Sequence, residues 1–233
     1  MNSAMPLITD ETIRAEAKAL VAQEARHSTA HLRHVWALCK QYPELDGLLP
    51  ELNDAWNTLY QRRSLRSNLA IVANIELMFT PLAKINIENR EEFFAEGDQH
   101  VASLFLWHCM EEMEHRSSAW TVYNELFSNS WYRLLQWPAL KKHMNAQQQI
   151  MAKYFSQVTT NMVGKPLSNR TKKKTVSRKD KLAKAYSVLR TQMPLYNPNN
   201  EVLPDFALDW FKREAAGEDM TRFYGKKSSK VSN

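Results

Sequence analysis

The hydrophobic and polar positions of this chain fall into long helical stretches with few breaks between them. A first helix is expected to start at Thr9-Asp10, whose side-chain oxygens can cap free backbone amides, and to run to Cys39 or Lys40. Pro43, Gly47 and Pro50 mark the connection to a second helical region over 51–87. Pro81 lacks the amide hydrogen and crowds the preceding turn, so it should kink or interrupt that region. A third long helix is expected over 91–128, and a fourth over 131–163 with a bend at Pro138. Residues 164–180 read as a solvated linker, helices near 180–192 and 204–216 complete the chain, and the final KKSSKVSN reads as a frayed end.

Composition supports this picture. Gly and Pro are scarce before residue 160, and 44% of the residues are hydrophobic, enough for a sizeable core. The expected fold is therefore all-α: a helical bundle over 8–163, a basic linker over 164–180, a C-terminal helical appendage over 181–216 and a disordered tail over 217–233. Cys39 and Cys109 form neither a disulfide framework nor a metal-type pair, which fits a reducing, cytoplasmic setting. The N-terminus, MNSAMPLITDETIRAEA, lacks a basic segment followed by an apolar one and does not read as a signal peptide. No uninterrupted apolar run approaches the ~20 residues of a membrane span.

The net charge of +6 has one source. Residues 165–184 hold nine Lys or Arg against one Asp, a net of +8, so the rest of the chain carries −2. A near-neutral body argues against a nucleic-acid binder, and the basic run has no interleaved aromatics to stack on bases. It reads as a solvated linker, with contact to anionic lipid or an acidic carrier protein as the alternative.

Three segments carry the chemistry. In Gln23-Glu24-Ala25-Arg26-His27, Glu24 and His27 form Glu-x-x-His on one side of a helix, and His31 and His34 extend the stripe. Taken alone, this segment reads equally well as a polar surface. Glu76 lies in the apolar run Ala70–Thr80, where an unpartnered carboxylate would be costly, so it needs an arginine, a proton or a metal. His108, Glu112 and His115 follow at i, i+4, i+7, within roughly 60° of one another on a helix, with Glu111 at the edge of that face and Glu114 pointing away. Bundles with carboxylate-bridged metal pairs take a Glu from each of two helices and a Glu-x-x-His pair from each of two others. Glu24-x-x-His27, Glu76 and Glu112-x-x-His115 on three successive helices match that pattern, and the imidazole and carboxylate donors suit iron or manganese without excluding zinc.

The runs QEARHSTAH, ANIELMFT and WHCMEEMEHRSSAWTVY resemble a bacterial family labelled predicted metal-dependent hydrolases, whose members are ferritin-like. The similarity extends from about Ile8 to Trp210. The arrangement His108-x-x-x-Glu112-x-x-His115 is also similar to that of di-iron arylamine N-oxygenases. That resemblance implies Glu24 and His27 on one iron, His108 and His115 on the other, and Glu76 and Glu112 binding or bridging, with His31 and Glu111 in reserve. Members of the family begin with a further segment carrying a Gly-Glu. This chain starts 23 residues before Glu24 without it, so the site is expected to be one carboxylate-bearing helix short.

The leading expectation is a two-iron oxidoreductase that uses dioxygen on a small organic substrate, which is free or carrier-bound. Met78, Phe79, Trp107, Met110 and Trp120 are candidates to line its cavity, although each is equally at home in a packed core. The alternatives are a hydrolase using a metal-activated water and a non-catalytic metal-binding bundle. Apolar helix faces leave a homodimer open.

Overall fold

The computed structural model of the chain describes residues 1–163 and 178–226, which are helical with no strand among them. Several helices begin where a side-chain oxygen meets their free amides. Asp10 caps α1 (Glu11–Gln41) by accepting from the amides of Thr12 and Ile13. The second region divides at Arg62-Arg63-Ser64 into α2 (Leu48–Gln61) and α3 (Leu65–Glu88), and Ser64 accepts from the Ser67 amide. A single turn, α4 (Arg90–Phe93), precedes α5 (Gln99–Glu114), which Asp98 caps at His100 and Val101. Then come α6 (Ser118–Phe127), α7 (Ser130–Leu135), α8 (Trp137–Val163), α9 (Arg178–Gln192) and α10 (Asp205–Ala215). Most of the expected linker and all of the last seven residues lie outside the described residues.

Three expectations change. Pro81 does not interrupt α3. Thr80, Pro81 and Ala83 are all buried, so packing on both sides outweighs the one missing hydrogen bond. The stretch 91–128 is three helices rather than one. Its second break, at His115–Ser117, has a local cause: Arg116 Nη1 donates to the Met113 carbonyl at 2.7 Å and Nε to the Pro198 carbonyl at 3.2 Å. The side chain thus satisfies a carbonyl that a continued helix would have used. The stretch 131–163 is two helices, parted at Gln136 just before Pro138, which sits in the first turn of α8, where its absent amide hydrogen costs that helix nothing.

α3 is the central element, packed against α5, α6, α7 and α9. It is long and apolar enough to cross a membrane by length and composition, but it is mostly buried and carries Glu76 at mid-length. Leu69, Ala70 and Ala73 pack with Leu20, Ala119 and Tyr123, while Ala83 and Ile87 pack with Met110, Met113 and Trp210. The C-terminal helices therefore share the core of the bundle. Gly225 holds the last described segment against α5: its φ is +100°, and a Cβ there would lie 2.8 Å from that of Ala102. Tyr224 N donates to Ser103 Oγ at 2.9 Å beside it.

Arg133 fastens α9 to this core. It is fully buried, and its guanidinium donates to Asn74 Oδ1 at 2.8 Å and to the carbonyls of Gln192 and Met193 at 3.2 and 3.3 Å. Burial lowers its pKa to about 10, so it stays charged at neutral pH. Arg133→Ala should destabilise the protein by ~3 kcal/mol, because it opens a cavity and strands these acceptors. Thermal denaturation should show a loss of roughly 6–12 °C, with Arg133→Met, which refills the volume, falling between. An alanine variant that melts with the wild type would show that the network holds nothing.

Candidate metal centre

The site forms where α1, α3 and α5 meet, at the level where their inward faces change from apolar to polar. The buried stripe of α1 reads Ala17, Leu20, Gln23, His27. α3 contributes Glu76 between buried Ala73 and Leu77, and α5 contributes Glu112 between buried Cys109 and Met113. Each helix is held by its apolar neighbours, so the polar side chains are carried inward with it.

Side-chain atoms of His27, His108 and Glu112 lie within 4.8 Å of one another. The His27 and His108 rings stack with centroids 4.3 Å apart. His108 Nε2 is 2.9 Å from Glu112 Oε1, and His108 Nδ1 is 2.6 Å from His31 Nε2. His27 Nδ1 stands 3.6 Å from both Glu24 Oε1 and Glu112 Oε1. Its Nε2 is 2.8 Å from Glu111 Oε2, although the N–H direction misses that oxygen, so the two meet as an ion pair without an aligned hydrogen bond. Each histidine thus turns one nitrogen toward Glu112 and the other toward a second group. That second group is Glu111 for His27 and His31 for His108.

The charges are strongly coupled. Burial, then the negative charges of Glu112 and Glu24, push Glu76 well above the ordinary carboxylate range. Burial opposes a charged His27, but contacts with Glu111 and Glu24 and the charge of Glu112 outweigh it and raise the ring to about 9. Burial together with His108, His27 and His34 lowers His31 to about 4, so it is neutral and its Nε2 can accept a hydrogen bond from His108 Nδ1. Burial raises the neighbouring Cys109 thiol to about 11, which makes a thiolate ligand unfavourable at neutral pH.

Of the residues singled out in the sequence, the structure joins His27, His108 and Glu112 directly, with Glu24, Glu76, Glu111 and His31 around them. The resemblance places His27 and His108 on different metals, whereas here their rings touch. His115 lies outside the tight group: α5 ends at Glu114, and His115 Nε2 is 3.6 Å from Glu114 Oε2. Gln23 and Arg26 were not singled out. Gln23 is buried one turn before His27 and helps hold the Glu111 carboxyl below its ordinary range, and Arg26 lies 3.6 Å from Glu111. Their spacing from His27 was the available signal.

A family model described as predicted metal-dependent hydrolase matches residues 1–201. The chain belongs to that family. No curated protein and no solved structure matches it. The family's description names a metal, and the donor set accommodates one. His27 Nδ1, Glu76 Oε2 and Glu112 Oε2 are buried without a hydrogen-bond partner, and among the described residues no Lys or Arg pairs with Glu76 or Glu112. Buried polar atoms left this way are costly, and a divalent cation among His27, His108 and Glu112 would give the first and last of them a partner and offset the negative charge around Glu76.

Metal uptake by this family member should therefore release protons. At pH 7 the metal-free site holds a proton on His27, raised to about 9, which must leave before that ring can bind a cation, and the upward shift of Glu76 acts in the same direction. Affinity should rise with pH up to that value. Calorimetry in buffers of different ionisation enthalpy should show proton release near neutrality, and an enthalpy independent of buffer would contradict it.

Proposed function

We propose that the chain is a metal-dependent hydrolase whose centre is held by His27, His108 and Glu112, with Glu76 and Glu24 beside it. The observation that carries this reading is the three-donor group of two imidazoles and a carboxylate within 4.8 Å. Three protein donors leave positions for water and substrate, the arrangement of catalytic rather than structural sites. His27 and Glu112 are buried while the side chain of His108 is 30% exposed, so the open side faces the surface at His108. Family membership supports hydrolysis as the reaction.

A bound divalent cation supplies an activated water and polarises the oxygen of the scissile bond. The protein's own groups do the remaining work. Glu111 faces His27 Nε2, which presents Nδ1 to the centre, and His31 holds His108 Nδ1, which presents Nε2. Such outer partners set the orientation of the ring and raise its basicity. Trp107 lies edge-on to His27 with ring centroids 5.0 Å apart, which keeps water off that side of the imidazole.

One observation favours oxidation as a second reading. Glu24, Glu76, Glu111 and Glu112 are more carboxylates than a single ion needs, and they come from three helices, as in bundles that hold two irons. Two iron ions would then supply redox chemistry with dioxygen. The test is metal analysis of the purified chain, followed by hydrolysis of p-nitrophenyl esters and phosphoesters under anaerobic conditions. Hydrolysis that tracks metal content and stops with a chelator is the expected result. Oxygen uptake by the ferrous protein without hydrolysis would move the assignment to the second reading, and a chain that takes up no metal would overturn both.

A further inference from the structure

A cavity of about 580 Å³ lies beside the centre, between α5, α1 and the turn that follows α10. Among the described residues another hollow, of about 610 Å³ at Arg62, Arg63 and Lys142, lies on α2 and α8, away from the ligands. Ala30 and Trp107 line the first cavity on the side of the centre. Ala30 sits one turn past His27, and Trp107 rests its edge on the His27 ring at 5.0 Å. Leu104 and Met220 give it apolar flanks, and its volume lies within the ~300–1,000 Å³ usual for small-molecule sites.

The charges around it are arranged by sign. Its outer wall carries Glu214, Glu218 and Asp219, with His100 as its basic member. Arg213 pairs with Glu218, and Asp219 accepts from the Thr221 amide, so both are engaged. Glu214 has no ion pair among the described residues; it feels Glu111, Glu114 and, in opposition, Arg26. A neighbouring hollow of about 400 Å³ shares Ala30 and Trp107 but is rimmed by Arg26 and Arg33. A ligand lying against Trp107 therefore meets positive charge toward one end and negative charge toward the Glu214 end. Part of the outer wall, Glu214, Met220 and Thr221, lies beyond residue 201, where the family match ends.

We propose that this cavity binds the substrate of the centre, that the substrate is an apolar molecule bearing a cationic amine, and that Glu214, Met220 and Thr221 set its specificity. This rests on the metalloenzyme reading. The amine is held at Glu214, the apolar body lies between Leu104 and Met220, and the far end of the molecule rests against Trp107, next to His27. Complementary charge is a specificity device here more than a source of affinity.

The test is calorimetric binding of three probes of one shape to the metal-loaded full chain: 2-phenylethylamine, 2-phenylethanol and 3-phenylpropionate. The amine should bind at least ~10-fold more tightly than the carboxylate, and Glu214→Gln should bring the two to within about 3-fold. Thr221→Phe projects a ring from an exposed position and should weaken all three probes by ~10-fold or more. Metal content and melting temperature serve as controls for folding in both variants. Equal affinity for the three probes, or amine binding unchanged by Thr221→Phe, would overturn the proposal. Hydrolysis that depends on metal, with a KM for aryl esters untouched by Thr221→Phe, would overturn it while leaving the enzyme reading intact. Selective amine binding by a chain that hydrolyses nothing would support the cavity and remove only the assigned reaction.

Discussion

Replacing Glu76 with glutamine should stabilise the metal-free protein and weaken its hold on metal. Glu76 is 6% exposed, one of its oxygens has no partner, and Glu112 and Glu24 repel its charge. Glutamine keeps the volume, removes the charge and adds an amide that can donate to Glu112. The expected gain is about 2 kcal/mol, within the range for relieving a badly compensated buried charge, or roughly 4–8 °C in melting temperature. The dependence on pH follows from the direction of the shift. The folded chain keeps the Glu76 proton where the unfolded chain has lost it. Wild-type stability in the absence of metal should therefore fall as pH rises from the ordinary carboxylate range toward the raised pKa of Glu76. The glutamine variant should lack this slope. Thermal melts of chelator-treated protein at pH 5 and pH 8 measure both effects. A variant that melts below the wild type at pH 8 would show that Glu76 has a structural partner and is no vacant donor. A site that destabilises its own scaffold until it is filled is the expected mark of function selected against stability.

The second large effect is on metal affinity, which should fall in a graded order. His108→Ala and His27→Ala each remove a donor from the three-residue group and should lower affinity by well over ~100-fold, with loss of any metal-dependent activity. Glu111→Gln and His31→Ala leave the donors in place and loosen their orientation, so ~10–100-fold is expected from each. His115→Ala should have a small effect, because His115 lies outside the tight group. Competition titration with a chromophoric chelator gives the whole series. A loss at His115 equal to that at His108 would instead make His115 a donor to a second metal, as the resemblance to the di-iron enzymes implies. Indifference at His27 and His108 would remove the centre altogether.

Much of the scaffold was legible along the chain, because the signals are local. Asp10 caps α1 through its own side chain, two and three residues away, and α1 ends close to where its pattern fades. Glu76 announced itself by standing in an apolar helix, whatever lay opposite. The breaks were harder to read. Pro81 looked like a stop but is carried through by burial of its neighbours, while His115–Ser117 showed no stop and breaks because Arg116 reaches the Pro198 carbonyl, 82 residues away.

The sequence by itself determined that the protein is a helical bundle in which carboxylates and histidines are carried into the interior at helical spacing. Helix periodicity, capping and the cost of burying charge all act within a few turns of one chain, so the pattern holds the information. Only the tertiary structure decided the partners: His27 against Glu111 and Glu112, His31 behind His108, His115 set aside, and Glu214 to Thr221 folded across the mouth of the cavity. These pairings depend on the rotation and depth of one helix against another. Those are set by how whole apolar faces interlock, and no short stretch of sequence records them.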